Sequence, residues 1–189
     1  MKALNSLTTG GTAIERPLDI IVRASTEDDV PAMLAIYAHH IQRGLGEMDV
    51  EPLNGEDIKR RRKNMLKHRL PHLVAEHHGM VIGYAYAVPF RKRPAYRYTV
   101  KHSIYVHHAQ VGQGIGRILL QELIDVCAAS GFRQIIGYID ADNAASLALH
   151  ARFGFARVGL LPGVAYRHGR WADTIMVQRS LASGSTTAP

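Results

Sequence analysis

The chain has 189 residues, 47% apolar and 21% charged, a length that suits one domain whose core needs neither disulfides nor a structural metal. Its single cysteine, Cys127, excludes an internal disulfide framework and suits a reducing cytoplasm, and no apolar run approaches the roughly 20 residues of a membrane span. The net charge of +7 is concentrated partly in IKRRRKNMLKHRL, residues 58–70, which reads either as a solvated helix face or as a nucleic-acid contact. The expectation is a soluble cytoplasmic protein whose partners include no nucleic acid and no membrane.

In chain order, residues 1–18 and 183–189 are polar and aperiodic and read as disordered tails around a working domain at 19–182. The opening segment has no continuous apolar stretch of the kind a secretory signal carries. LDIIVRAS reads as a strand, and TEDDVPAMLAIYAHHIQ as a helix with Thr26 as its N-cap and acidic residues in its first turn. A loop, RGLGEMDVEPLNG, leads to the basic helix from Gly55 to about His68, which Pro71 ends. HLVAEHHGMVIGYAYAVPF is a β-hairpin turning near His77, His78 and Gly79, and YRYTVKHSIYV is a further strand. GRILLQELIDVCAASG is an amphipathic helix stopped by Gly131, with Cys127 on its core side. FRQIIGYID is a strand, NAASLALHARFG a short helix, and FARVGLL and WADTIMVQRSL are closing strands. The order β-α-α-β-β-β-α-β-α-β-β, a meander followed by crossovers, means a mixed sheet of the α/β class.

VGQGIGRILL, between a strand and a helix, sets Gly112, Gly114 and Gly116 at alternate positions. Backbone amides at such a turn and the helix dipole behind them favour an anion, phosphate above all. A dinucleotide fingerprint requires G-x-G-x-x-G after the first strand of a parallel unit, whereas Arg117 holds the last fingerprint position and the loop follows several antiparallel strands. No Gly-Lys-Ser/Thr closes the turn as a P-loop would.

The succession of strand HSIYV, loop HHAQVGQGIG and helix RILLQELI resembles the acetyl-CoA site of the GNAT N-acetyltransferase superfamily, whose pattern is R/Q-x-x-G-x-G/A. Gly114 and Gly116 match it, while Val111 stands in place of the leading Arg or Gln. AYRYTVKHSIYV, NAASLALHARFGF and YRHGRWADTIMVQRSL are similar to the phosphinothricin and methionine sulfoximine acetyltransferase branch. Over Ile21 to Leu181 the resemblance implies the GNAT acyl-CoA N-acyltransferase fold, a mixed, mostly antiparallel sheet flanked by helices. It also implies acetyl-CoA as co-substrate, no metal, a homodimer, and direct attack by the primary amine of a small amino-acid-like substrate in a ternary complex. By the same resemblance Ile104, Tyr105 and Val106 hold the pantetheine arm and Val111, Gly112, Gln113, Gly114, Ile115 and Gly116 the pyrophosphate. Asn143 and Ser146 then meet the pantetheine or the acetyl end. The residues alone also allow Tyr105 to be a core aromatic and Asn143 a plain helix N-cap.

The branch carries a glutamate base in its Thr-Val-Glu run, where this chain reads Thr99-Val100-Lys101. A lysine is ordinarily protonated at neutral pH, a poor base and a good carboxylate anchor. Alternation sets Lys101, Ser103 and Tyr105 on one face of the strand and His102, Ile104 and Val106 on the other, so His102 is either a replacement base or a structural histidine. Glu47 and Glu51, in the loop after the first helix, are acidic candidates either for meeting the amine or for simple solvent exposure. His150 stands where many GNAT enzymes carry a tyrosine acid and this branch a histidine, as proton donor to the thiolate or as a cofactor contact. Arg93, Pro94, Ala95 and Arg97, in RKRPAYR with Arg91, are the substrate-side candidates, since arginines clasp carboxylates. Eleven histidines show no metal-ligand spacing, and Trp171 reads as core or dimer packing. The alternatives to the enzyme are an acyl-CoA-binding protein impaired by Lys101 and an acetyltransferase of a protein N-terminus.

Overall fold

The apolar runs assemble into one seven-stranded sheet of order β1-β2-β3-β4-β5-β7-β6, seen in a computed structural model that describes residues 19–42, 53–167 and 169–188. The elements are β1 (Ile20–Ala24), α1 (Val30–Gln42), α2 (Gly55–Lys67), β2 (His72–His77), β3 (Met80–Pro89), β4 (Thr99–Val106), α3 (Ile115–Ala129), β5 (Gln134–Asp140), α4 (Ala144–Arg152), β6 (Ala156–Arg167) and β7 (Arg170–Ser180). The order matches the one read from the sequence, and every neighbouring pair is antiparallel except β4 and β5.

That parallel pair makes the site. β4 follows β3 from Val100 to Val106 and β5 follows β7 from Gln134 to Asp140, yet β4 and β5 are in register only from Thr99 to Lys101. Beyond Lys101 each strand is held by its outer neighbour, and the inner edges part.

The helices cover both faces. Tyr37 of α1 meets Tyr105 edge-on at 5.5 Å, and Tyr105 stacks on Tyr84 at 4.9 Å, so α1 lies over the face that carries Tyr84, Tyr86 and Tyr105. Gly83 points the other way, and a Cβ there would stand 3.0 Å from Leu119 Cδ1 and 3.2 Å from Ile115 Cγ2 of α3. The glycine lets α3 seat its stripe of Ile115, Leu119, Leu123 and Cys127, all buried, close against the sheet. Burial raises the Cys127 thiol to about 12, as expected for an inert core cysteine.

Two boundaries differ from the expectation. The first helix begins at Val30, and Thr26 does not cap it: its N–H and hydroxyl donate to the Asp29 carboxylate, which also takes two bonds of 2.8 Å from Arg23. An ion-paired turn thus outcompetes an earlier helix start. β6 runs on to Arg167, well past Leu161, with irregular pairing between Leu161 and Ala165; Pro162 is tolerated because β6 is an edge strand. The basic run on α2 is partly engaged at home. Lys59 and Arg60 pair with Glu56 and Asp57 one turn back, and Arg62 bonds the hydroxyl and carbonyl of Ser25. Of the stretch 183–189, which reads as a tail, residues 183–188 are described and include a turn in which Thr186 N–H meets the Ser183 carbonyl at 3.0 Å.

Candidate active site

Where β4 and β5 part, a cleft of about 500 Å³ opens between Lys101 to Tyr105 on one side and Gly137 to Asp140 on the other, with Asn143, Ser146 and His150 from α4 along its wall. The gap passes through the sheet, so both faces of β4 reach it and Lys101 and His102 line it together. A second cavity of about 280 Å³, walled by Arg61, Asn64 and Met65 of α2 and by Tyr86, shares Lys101, Val88 and Pro89 with the first. Lys101 therefore stands between the two, its Nζ 5.7 Å from the centroid of the Tyr138 ring.

The glycine loop lies at the N-terminus of α3. Gly112 and Gly114 have φ of 87° and 85°, left-handed values that favour glycine, and no atom lies within 4 Å of where their Cβ atoms would be. Arg117 and Ile118 are the first amides of the helix to bond back, both to the Gly114 carbonyl, which leaves the amides of Gly114, Ile115 and Gly116 ahead of the helix ladder. Val111, Gly112 and Gln113 are exposed and Ile115 is buried under the turn. This is an open cradle of donors with a helix dipole behind it, and it fits a pyrophosphate.

Asn143 does cap α4, its side chain accepting the Ser146 N–H at 3.0 Å, while both residues also line the cleft. Ile104 and Val106 are half-buried, and Tyr105 is buried among Tyr37, His40 and Tyr84 while its backbone borders the gap.

His102 and His150 meet. Their Nε2 atoms are 2.9 Å apart, His102 Nδ1 lies 2.9 Å from the Ile136 carbonyl oxygen and His150 Nδ1 lies 2.7 Å from the Ser146 carbonyl oxygen. Gly137 makes room for this, since a Cβ there would stand 2.9 Å from His102 Cε1. Burial first, and the neighbouring His150 second, push His102 down to about 3, with the Ile136 carbonyl opposing. Burial also lowers His150, against the Ser146 carbonyl. Sequence reasoning singled out each histidine but not their contact, nor Gly137. The usable signals were a glycine inside an apolar strand and the alternation that sets His102 opposite Lys101.

The other candidates are not gathered here. Arg93, Pro94, Ala95 and Arg97 are exposed in and beside a short turn at Pro94–Tyr96, outside the cleft lining, with the Arg97 guanidinium 4.5 Å from the Tyr98 ring centroid. Arg91, with Phe90, does line the cleft. Glu47 and Glu51 lie outside the described residues. No group of three potential metal ligands occurs among the described residues.

Residues 34–155 match the Acetyltransferase (GNAT) family. The chain belongs to the GNAT acetyltransferase family. A phosphinothricin N-acetyltransferase of Alcaligenes faecalis is 44% identical to this GNAT enzyme over 169 residues, covering 89% of the chain and 86% of the relative. An L-methionine sulfoximine/L-methionine sulfone acetyltransferase of Pseudomonas aeruginosa is 34% identical, covering 85% and 94%. Among solved structures, a GNAT superfamily phosphinothricin acetyltransferase from Sinorhizobium meliloti in complex with AcCoA superposes with a TM-score of 0.87 at 37% identity, covering 90% of this chain and 92% of that one. The mixed, mostly antiparallel sheet of this GNAT enzyme agrees with that fold.

Proposed function

We propose that this GNAT enzyme transfers the acetyl group of acetyl-CoA to the primary amine of a small amino-acid-like compound of the phosphinothricin or methionine sulfoximine type, in a ternary complex. The observation that carries the reading is the cleft itself, a gap in the sheet lined by Lys101, His102, Asn143, Ser146 and His150, on a fold whose glycine cradle at Gly112–Gly116 follows β4 at the N-terminus of α3. Relatives named for those two substrates share its sequence along most of the chain.

When bound, acetyl-CoA supplies a thioester activated toward a nitrogen nucleophile. The amides of Gly114, Ile115 and Gly116 in the Val111–Gly116 loop would hold its pyrophosphate, and the freed inner edge of β4 at Ile104–Val106 would offer backbone groups to the pantetheine as an added strand does. Ser146 and Asn143 border the same path. Lys101, facing both cavities, anchors the acceptor's carboxylate from the side of α2, which leaves the amine pointing into the gap. His150, in the last turn of α4, presents its ring to the place where the sulfur departs.

The enzyme acts as a homodimer through the outer face of β6. Val158, Leu160, Val164 and Tyr166 alternate on that face and are 43–57% exposed, and Trp171 beside them is 65% exposed, an apolar stripe of the kind that subunits cover. Trp171 packs on Tyr166 at 5.2 Å. The buried, unreactive Cys127 suits work in the cytoplasm.

One observation favours a second reading, binding without turnover: Lys101 at the position where the branch carries its glutamate base. Thiol release from acetyl-CoA, measured with phosphinothricin, methionine sulfoximine and the common amino acids, separates the two. Turnover with the first pair above the common amino acids supports the enzyme, whereas tight acetyl-CoA binding with no thiol released across the panel establishes the binding protein.

A further inference from the structure

The contacts of the His102–His150 pair fix a number of protons. A carbonyl oxygen only accepts, so the 2.9 Å contact of His102 Nδ1 with Ile136 and the 2.7 Å contact of His150 Nδ1 with Ser146 each require a hydrogen on Nδ1. The two Nε2 atoms, 2.9 Å apart, then need one hydrogen between them, because without it two lone pairs face each other. Two neutral imidazoles carry two ring hydrogens, and these contacts use three. The Ser146 hydroxyl, 3.4 Å from His150 Nδ1, is too distant to replace one of them.

We propose that His102 and His150 share one proton along Nε2–H–Nε2, so that the pair is a fixed monocation where β4 and β5 part, and that His102 is a positioning residue that keeps His150 charged. Three features hold that charge. Both carbonyls favour the protonated rings, opposing the burial that lowers both histidines. His150 lies in the last turn of α4, where the helix dipole favours a cation. The rings are fixed sideways by Phe155, at 5.3 Å from His102 and 5.0 Å from His150, and by the space that Gly137 leaves. A second proton is refused, since it would add a like charge at 2.9 Å in a buried site.

The other titratable groups facing the cleft are Lys101 of β4, which opposes charge on His102, Tyr138 of β5, Asp140 of β5 paired with Arg167 of β6, and Arg91 after β3. No carboxylate touches either imidazole among the described residues, so the charge is uncompensated and available to an anion entering the cleft. On the acetyltransferase reading that anion is the departing thiolate, and the cation is in place before it forms. The proton count itself does not depend on that reading.

The full-length protein labelled with ¹⁵N-histidine tests the count directly at pH 7. Three ring-bound protons on these two residues are expected, two on Nδ1 and one strongly deshielded proton coupled to both Nε2 atoms. Two protons only, one on each ring, would overturn the proposal. The positioning role is read from kcat against pH in two variants. His102→Gln keeps an acceptor for the His150 Nε2–H and should stay within about threefold of the parent. His102→Leu removes the acceptor and should lower kcat at pH 7 about tenfold or more, within the range of proton-handling groups, with activity recovering as the pH falls and His150 regains its proton. Equal profiles for the Leu and Gln variants would sink the positioning role, and the proton count on the unaltered protein stands as a separate test if His102→Leu fails to fold.

Discussion

Two buried histidines occupy opposite faces of one sheet and do different work. His72 of β2 lies on the α1 face, its ring stacked 5.5 Å from Tyr86 and 6.2 Å from Tyr84, and its Nδ1 has no hydrogen-bond partner among the described residues. Burial first and Arg62 second push it down to about 4. His102, on the opposite face, is as deeply buried, yet both of its nitrogens are engaged. Burial alone makes a histidine a neutral packing group whose cost appears only when acid tries to charge it. Burial lowers His102 further still, to about 3, but a carbonyl on one nitrogen and a second ring on the other give it hydrogen-bond positions that a proton can fill, which His72 Nδ1 lacks among the described residues.

The largest effect that sharpens this contrast is the pH dependence of stability on the His72 side. Its folded-state value, about 4, lies below the unfolded value near 6.5, so the unfolded chain binds more protons between them. Stability is therefore complete above pH 6.5 and falls as the pH drops through the window to about 4, by about 3 kcal/mol at about 1.36 kcal/mol per unit. Urea unfolding at pH 7 and pH 4 should show a fall in the parent chain, to which the other buried histidines contribute as well, and a fall about 3 kcal/mol smaller in His72→Phe. An unchanged fall in the variant would place the acid sensitivity elsewhere.

Next in size is Gly137→Ala, which attacks the other face. The added Cβ would meet His102 Cε1 at 2.9 Å and Val177 Cγ2 at 3.0 Å inside a paired strand, an overpacking that costs about 1–3 kcal/mol. Because the histidine pair must yield, kcat should fall by more than the change in KM for acetyl-CoA. A variant with parental kcat and lowered stability alone would show that the contact is only packing.

The smallest effect concerns Ser103, which lies on the same face of β4 as Lys101 and has a buried hydroxyl without a hydrogen-bond partner among the described residues. Ser103→Ala gives up no hydrogen bond, so thermal or urea unfolding should change by about 0.5 kcal/mol or less, or move toward greater stability. A loss well above 1 kcal/mol would mean that the hydroxyl is bonded in solution.

The parts of the molecule legible in the sequence were those ruled by local patterns. The stripe Ile115, Leu119, Leu123 and Cys127 announces α3, and the alternate glycines before it announce the cradle, whose φ values of 87° and 85° only glycine adopts readily. The α1 start was misplaced because Asp29 is taken by Arg23 and Thr26, and the length of β6 was missed because Pro162 and Gly163 look like an ending when the strand's edge position is unknown. The substrate side was legible least: Arg93 and Arg97 stand away from the cleft lining, and Glu47 lies outside the described residues.

By itself the sequence determined the order of the elements, the anion cradle and the resemblance to an acetyl-CoA site, since each depends on residues a few positions apart. It also determined that Lys101 occupies the place of a familiar base. Only the tertiary structure decided that β4 and β5 part after Lys101, because that depends on how far β3 and β7 hold their partners. It alone joined His102 to His150 across 48 positions of the chain, with room provided by Gly137. Alternation can place a side chain on a face, but what that side chain meets is set by a helix from another part of the sequence, and with it the protonation that the pair can hold.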